Sequence, residues 1–273
     1  MSMKRSSVKT LFNTTPQGQD ILVKGWVRSI RNSKTFSFIV INDGSTQKDL
    51  QIIADESLTG YEEFTKCLSG SSISVKGKLV ESGGKQPIEV QATNIEIIGT
   101  VPQDYPLQKK GTSMEFLREV AHLRPRTNSF GAVFRVRHEL TQATHKFFSD
   151  KGFYNIHTPI LTAMDAEGAG ELFRVSTLDP NNLPLDKSGK VIWEKDYFGK
   201  EAYLCVTGQL EAEAFACSMG SVYTFGPTFR SENSNTTRHL SEFWMIEPEV
   251  AFADLEEVAD LGAEYIQYMI NHA

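Results

Sequence analysis

Residues 229–249 read FRSENSNTTRHLSEFWMIEPE, and this stretch decides the fold expected for the second half of the chain. Two runs with strand character flank a polar connection (231–238), which predicts an antiparallel β-hairpin. Arg230 and Glu232 are two residues apart, so in a strand they project from one face. That places an arginine fork suited to phosphate beside a carboxylate, with the ring of Phe243 available to stack on a base. The same pattern also fits a surface Arg–Glu pair beside a core phenylalanine.

The segments around this hairpin mix helices and strands. An apolar stripe with helical spacing predicts an amphipathic helix that ends at Gly152; it consists of Val133, Val136, Leu140, Ala143 and Phe147. Further strands are expected at 153–156 and 203–206, and helices at 209–218 and from Leu255 onward, the last one capped by Asp254 and Glu257. Because the order lacks βαβ regularity, the sequence predicts an antiparallel α+β domain.

The first hundred residues show five short strand patterns separated by turn signals. The patterns lie at 21–27, 35–41, 50–53, 73–80 and 88–98, and residues 57–68 could hold one helix. Five strands with one such helix are typical of an OB-fold barrel, although other small barrels fit the pattern too. A proline-containing polar stretch follows, so we expect a barrel domain at 1–105, a hinge at 106–125 and an α+β domain at 126–273.

Composition excludes several classes of protein. The 273 residues carry a net charge of −6, with 12 Lys/Arg against 10 Asp/Glu in the first hundred and 16 against 24 in the rest. A mildly basic first part fits a nucleic-acid reader only weakly. No apolar run is long enough for a membrane helix, and the basic N-terminus leads into no signal-peptide core. Three cysteines without CxxC spacing indicate neither a disulfide framework nor a zinc site. We therefore expect a soluble, cytoplasmic protein.

Four stretches carry a resemblance to a known family. Residues 229–249 closely resemble motif 2 of the class II aminoacyl-tRNA synthetases, and residues 122–161 resemble their motif 1, with Pro159 at the signature proline. EGAGELFRV (167–175) and VTGQLEAEAFA (206–216) resemble the asparaginyl members in particular. The OB-like beginning is similar to the anticodon-binding domain of the aspartyl/asparaginyl/lysyl subgroup.

The resemblance implies an ATP site on the hairpin. Arg230 would bind the ATP α-phosphate and the amino-acid carboxylate, and Phe243 would stack on adenine. Glu232, Arg238 and His239 would line the nucleotide site, with Mg²⁺ accompanying ATP. In the reaction of this family, the amino-acid carboxylate attacks the α-phosphorus of ATP, and negative charge develops on the phosphate oxygens. Catalysis would therefore consist mainly of positioning and electrostatic stabilisation. The nucleophile is an already ionised carboxylate, so His239 fits a phosphate ligand better than a base.

The amino-acid substrate is indicated by residues 209–213, QLEAE. Aspartyl members typically read QLYKQ here, so Ala212 replaces a lysine and Glu213 a glutamine. This exchange should repel aspartate and accept the amide of asparagine. Gln209 and Glu213 lie one turn apart and would reach one pocket, while Glu167 would bind the α-amino group. A solvated helix face fits residues 209–213 as well, and an aspartyl enzyme is the alternative function.

By the same resemblance, the barrel would read the anticodon of tRNA(Asn). Phe38 would stack on an anticodon base, Arg31 would supply a basic contact and Gln51 would read a base edge. Two other interpretations stay open, with Phe38 in the barrel core and Arg31 as a solvated surface charge.

Assembly and completeness form the last expectations. The motif 1 helix (130–148) and the strand leading to Pro159 resemble a two-fold dimer interface, with Arg135 and Arg137 off the apolar stripe and able to face a partner. Nothing after Glu249 resembles motif 3 or the acidic residues that hold Mg²⁺ beside it. We therefore expect an N-terminal portion of a longer ligase, inactive alone and without a metal site of its own. A non-catalytic tRNA-binding paralogue is the runner-up.

Overall fold

The computed structural model describes residues 3–84, 86–107, 111–164, 172–233 and 236–273. The chain divides into two compact units, Met1–Val136 and Arg137–Ala273, and the dividing point falls within a long helix. Within the described ranges, no helix has the length and apolar character needed to cross a membrane.

The first unit is built around a closed five-stranded barrel. Its strands are β1 (Asp20–Asn32), β2 (Phe36–Asn42), β3 (Leu50–Asp55), β4 (Ser72–Glu81) and β5 (Ile88–Gly99). They are hydrogen-bonded in the order β1-β2-β3-β5-β4, with β3 parallel to β5 and the other neighbours antiparallel. The predicted OB-fold barrel is confirmed.

Alternation along the strands fills the barrel interior. On β2, Ile39 and Ile41 are fully buried while Phe38 and Val40 lie on the outer side and are half-buried. A short helix, α1 (Val8–Phe12), adds two buried side chains to the core from outside the barrel. The helix expected at 57–68 is a single turn, α2 (Tyr61–Phe64). The alternation was readable from sequence, whereas α1 is too short for a periodic signal.

Beyond the barrel, the first unit contains α3 (Met114–Glu119), a 3₁₀ turn at Arg124–Arg126 and the first turns of α4 (Asn128–Asp150). Arg135, which the sequence leaves able to face a partner subunit, forms hydrogen bonds within its own unit. Its guanidinium donates to the carbonyl of Gly44 at 2.6 Å and to Oε1 of Gln47 at 3.0 Å. Because the loop after β2 offers these acceptors within the same unit, Arg135 is already engaged.

The second unit has the α+β organisation that the sequence predicts. Its elements after α4 are β6 (Tyr154–Asn155), β7 (Leu161–Thr162), β8 (Arg174–Val175), β9 (Ala202–Leu204), α5 (Gln209–Met219), β10 (Ser221–Phe229), β11 (Glu242–Val250) and α6 (Leu255–His272). The antiparallel hairpin β10–β11 is present, and β6 pairs with β10 in parallel; β7, β9 and β8 form a second sheet.

An aromatic cluster packs α4 and α6 onto the hairpin sheet. The rings of Phe148 and Tyr223 stack with centroids 4.5 Å apart, and Phe147 contacts Tyr265 and Tyr268 of α6. The C-terminal half of the predicted stripe on α4 is therefore buried. Its N-terminal half is not, since Val133 and Val136 are 56% and 50% exposed.

Candidate functional site

The candidate site begins at the loop end of the β10–β11 hairpin. β10 ends at Phe229, which pairs with Glu242, so Arg230 is the first residue beyond the strand. Its backbone N–H donates to the Ser241 carbonyl at 3.0 Å, which holds it at the loop end of the hairpin. The half-buried guanidinium lies 5.6 Å from the ring centre of Phe243. The hairpin thus brings together a guanidinium, which suits a phosphate, and an aromatic ring, which suits a base.

The other predicted nucleotide ligands lie in the connection between the two strands. Glu232, Arg238 and His239 are exposed, and the structure does not bring them to Arg230 through a described contact. His239 Nδ1 bonds to the Thr236 hydroxyl instead. The premise that Arg230 and Glu232 share a strand face is wrong, because β10 ends at Phe229, before both of them.

Helix α5 carries the pair that the sequence assigns to the amino-acid pocket. Gln209 Nε2 donates to Glu213 Oε1 at 2.9 Å, so the two side chains do meet on one helix face. Both are exposed, as the alternative of a solvated helix face anticipates. Glu167, the residue expected to bind the α-amino group, lies outside the described residues.

Glu247 is a site residue that sequence reasoning missed. From β11 its carboxylate accepts a hydrogen bond from the Thr224 hydroxyl at 2.8 Å, from the Gly208 N–H at 3.2 Å, and from the Thr207 hydroxyl. A carboxylate at a helix N-terminus is also favoured by the helix dipole. Glu247 therefore fixes the beginning of α5, and with it Gln209. The Thr207–Gly208 pair just before a helix was the available signal, since it is a capping pattern.

Gly208 has a packing reason at this junction. A Cβ added there would lie 2.5 Å from Thr158 Oγ1 and 3.2 Å from a methyl carbon of Thr224. The chain can pass between these two threonines only without a side chain, which keeps α5 close to β10.

Negative charge accumulates between α5 and β11. Burial raises the pKa of Glu249, and the charges of Glu213 and Glu247 raise it further. The carboxylates of Glu213 and Glu247 are therefore both close enough to Glu249 to act on it. A ligand with its own carboxylate would meet unfavourable charge here, whereas a neutral amide would not.

A second group of predicted site residues lies on the outer face of the barrel. The guanidinium of Arg31 stands 4.7 Å from the ring centre of Phe38, its cross-strand partner, and Phe36 packs edge-on to Phe38 at 5.0 Å. Phe38 therefore lies outside the barrel core, and Arg31 is exposed but not isolated. An aromatic ring backed by a cation is an arrangement suited to stacking on a base.

Gln51 is held in place by Glu89, a residue that the sequence analysis did not identify. Its Nε2 donates to Oε2 of Glu89 at 3.0 Å, and the Ser82 hydroxyl donates to the same oxygen at 2.8 Å. Glu89 is 8% exposed, so this carboxylate is fixed in the barrel wall. The Gln51 amide thus has one defined orientation from which to meet a base edge.

Metal binding can be tested on the described part of the chain. It contains no group of three or more His, Cys, Asp or Glu side chains arranged to hold a metal ion. These residues therefore offer no protein cage for Mg²⁺.

Comparison with known proteins matches both units. Residues 21–98 match the OB-fold nucleic acid binding domain family, and residues 113–273 match the family of tRNA synthetases class II (D, K and N). The asparagine–tRNA ligase of Clostridium tetani is 55% identical over 99% of this chain, and that of Parabacteroides distasonis is 54% identical over all of it. The asparaginyl-tRNA synthetase of Pyrococcus horikoshii, solved with asparaginyl-adenylate, superposes with a TM-score of 0.83 at 25% identity over 99% of the chain and 58% of that structure.

The coverage of these relatives is partial, because the chain spans 59% of the Clostridium tetani ligase and 58% of the Parabacteroides distasonis ligase. The family match, however, takes in more than half of the chain and includes the hairpin, α5 and the motif 1 helix. The chain belongs to the class II tRNA synthetases of the D, K and N family.

Proposed function

We propose that the protein works as an asparagine–tRNA ligase, which activates asparagine with ATP and transfers it to tRNA(Asn). The observation that carries this proposal is the Arg230 guanidinium over the Phe243 ring at the loop end of the hairpin. The two groups match the two ends of a nucleotide, a phosphate and a base. The 54–55% identity to ligases named for asparagine supports the choice of amino acid.

Arg230 supplies the electrostatic part of the activation step. The asparagine carboxylate attacks the α-phosphorus of ATP, and negative charge grows on the non-bridging oxygens. A guanidinium aimed at those oxygens stabilises the transition state without reorganising. Its backbone bond to Ser241 and its contact with Phe243 restrain it before ATP arrives. Glu232, Arg238 and His239 would complete the nucleotide site from the hairpin connection, with His239 as a phosphate ligand.

Glu213 and Gln209 select the amide of asparagine. Glu213 accepts a hydrogen bond from the substrate NH₂, and its negative charge repels aspartate. Gln209 keeps that carboxylate in position through its own side-chain bond. Glu167 remains the proposed ligand of the substrate α-amino group.

The barrel reads the anticodon through Arg31, Phe38 and Gln51. The stacked Arg31–Phe38 pair and the oriented Gln51 amide support this assignment, because one arrangement suits a base face and the other a base edge. We keep the domain limits at 1–105, 106–125 and 126–273. The family matches at 21–98 and 113–273 leave room for a hinge between them.

The proposal also includes a homodimer, Mg²⁺ and a cytoplasmic location. The exposed apolar side chains on the first half of α4, Val133 and Val136, suit a two-fold homodimer contact. Mg²⁺ accompanies ATP, because this ion is usually held by substrate phosphates with one or two carboxylates. A cytoplasmic location follows from a role in translation.

ATP–pyrophosphate exchange tests this proposal. Exchange should depend on asparagine, and Arg230→Ala should remove about 2.7–4 kcal/mol of transition-state stabilisation, as for an oxyanion-hole donor. Arg118→Ala, a change at an exposed arginine of α3, is the control and should leave exchange unchanged. Equal or faster exchange with aspartate would reassign the protein as an aspartyl enzyme. If the complete gene product binds tRNA(Asn) without catalysing exchange, it is instead a tRNA-binding paralogue.

A further inference from the structure

Outside the proposed anticodon face, the first unit contains a cavity of about 660 Å³. This volume lies in the range of ligand-sized sites. Its wall combines two aromatic rings with three guanidinium groups, from Trp26, Tyr105, Arg28, Arg126 and Arg135. Among the described residues that line it, Asp49 is the single carboxylate. The cavity therefore favours an aromatic ligand that carries negative charge.

Trp26 presents the ring that remains most accessible. Its side chain is 53% exposed, although an indole is large and strongly apolar. On β1 it pairs with Asn42 on one side and Ser72 on the other, so the backbone at this position is fixed by two strands. A rigidly mounted and accessible indole is the kind of platform on which bases stack in single-stranded nucleic-acid sites.

Arg28 offers a donor beside this ring. Its Nη1 donates to the Arg126 carbonyl at 2.6 Å, which anchors the guanidinium. Its Nε stands 3.9 Å from Asp49 Oδ1, an ion-pair distance longer than a hydrogen bond. The Nε atom is buried and has no hydrogen-bond acceptor among the described residues. The Arg28 side chain as a whole is 33% exposed and lines the cavity, so its positive charge is within reach of a phosphate or base oxygen there.

Strand β1 contributes residues both to the cavity and to the proposed anticodon face. Val27 is buried in the core and Ile30 packs against it, while Trp26 and Arg31 are exposed on the outside of β1. A β-bulge between Val27 and Ser29 permits this register. Trp26 and Arg31 are five positions apart along β1, which corresponds to about 17 Å. A base stacked on Phe38 would thus leave the cavity open.

We propose that this cavity binds a further unpaired nucleotide of the same tRNA, with the base stacked on Trp26 and the phosphate or base oxygen bonded to Arg28. This inference rests on the proposed RNA-binding function of the barrel. It adds a second stacking position on the outer face of β1, separate from the one at Phe38.

Equilibrium binding to a tRNA(Asn) transcript tests the proposal. Trp26→Leu keeps an apolar side chain but removes the stacking surface, so the dissociation constant should rise about 5- to 150-fold, the range for one base–aromatic stack. Trp26→Phe should recover most of the affinity. Ile98→Ala changes another exposed apolar residue of the barrel that does not line the cavity and should have no effect. Thermal unfolding of each variant confirms that the fold is kept.

Phe38→Leu, measured in parallel, separates this inference from the proposed function. Weaker tRNA binding for Phe38→Leu with unchanged binding for Trp26→Leu would overturn the second site and leave the anticodon face standing. Unchanged binding for both variants would overturn both. Light scattering tests whether the cavity is instead filled by a second copy of the chain. If Trp26→Leu weakens tRNA binding only by converting a dimer to a monomer, the cavity is a contact between copies and the proposal fails.

Discussion

The amide of Gln209 donates a 2.9 Å hydrogen bond to the carboxylate of Glu213, one turn further along α5. This bond joins the side-chain amide to one of the two carboxylate oxygens, Oε1. Glu247 of β11 accepts hydrogen bonds from the Gly208 N–H at the beginning of the same helix and from the Thr224 hydroxyl of β10. The helix that carries the pair is therefore attached to the sheet. The proposed selection of asparagine would therefore rely on a carboxylate with a defined position.

Glu213→Gln should weaken discrimination between asparagine and aspartate more than it weakens asparagine activation. The substituted amide keeps the shape and can still accept from the substrate NH₂, so the loss for asparagine should be about 1–2 kcal/mol. The repulsion of aspartate disappears with the charge. The measurement is kcat/KM for each amino acid in pyrophosphate exchange. Glu211→Gln, on the same helix, is the matched control, and an unchanged Asn/Asp ratio in Glu213→Gln would mean that Glu213 only faces solvent.

Phe243→Leu should act on ATP rather than on asparagine. The leucine keeps an apolar residue on β11 but removes the ring that faces the Arg230 guanidinium. Loss of one base stack costs about 1–3 kcal/mol, which we expect as a higher KM for ATP with a smaller change in KM for asparagine. Steady-state exchange with each substrate varied in turn provides both constants. An equal rise in both would indicate a general disturbance of the hairpin.

Asp196 should contribute stability that depends on pH. Hydrogen bonds from the Thr177 hydroxyl and from the Thr177 N–H are the main causes that lower the pKa of its carboxyl to about 2. The folded pKa lies below the usual value near 4, so the contribution is present above about pH 4 and is lost as the pH falls toward 2.

Thermal unfolding of Asp196→Asn across this range checks that dependence. The variant should melt below the wild type at pH 7, and the difference should shrink between about pH 4 and pH 2. Asp179→Asn, in the same polar insertion, serves as a control and should show little difference at either pH. A constant difference at all pH values would assign the effect of Asp196 to packing.

The elements that sequence predicted well are those with a local signal. The barrel could be predicted from the alternation of buried and outward residues on β2 and from the turn residues around this strand. The hairpin could be predicted from the polar connection at 231–238 between two strand patterns. The residues at which strands end were harder to predict from the sequence. The last residue pair of the β10–β11 ladder is Phe229 with Glu242, and where a ladder ends depends on both segments. The shared strand face assumed for Arg230 and Glu232 failed for this reason.

Long-range contacts explain what the sequence did not reveal about the site. Glu247 accepts from Thr207, 40 residues earlier, and Gln51 donates to Glu89, 38 residues later. Neither separation follows a helix or strand period, so no pattern in the sequence joins these partners. Arg135 is a similar case, since its acceptors in the loop after β2 lie 88 and 91 residues away.

Val136→Asp should prevent the proposed homodimer. A two-fold contact places the same residue on both subunits, so one substitution introduces two carboxylates into an apolar surface. We expect light scattering at micromolar concentration to show a shift from dimer to monomer, with Val136→Ala as the conservative control. A wild-type protein that is already monomeric under these conditions would contradict the assembly.

Glu89→Gln should reduce binding of the tRNA(Asn) anticodon stem-loop without changing pyrophosphate exchange. The Glu89 carboxylate accepts from both Gln51 and Ser82, and a neutral amide at this position would bond to them more weakly, so the Gln51 amide loses its single orientation. Exchange should persist because the described residues proposed for ATP and asparagine all lie in the second unit. Gln51→Ala made in the Glu89→Gln background distinguishes positioning from direct contact. If Glu89 acts only through Gln51, the double variant binds the stem-loop as weakly as Gln51→Ala alone; a further loss would mean that Glu89 itself contacts the RNA.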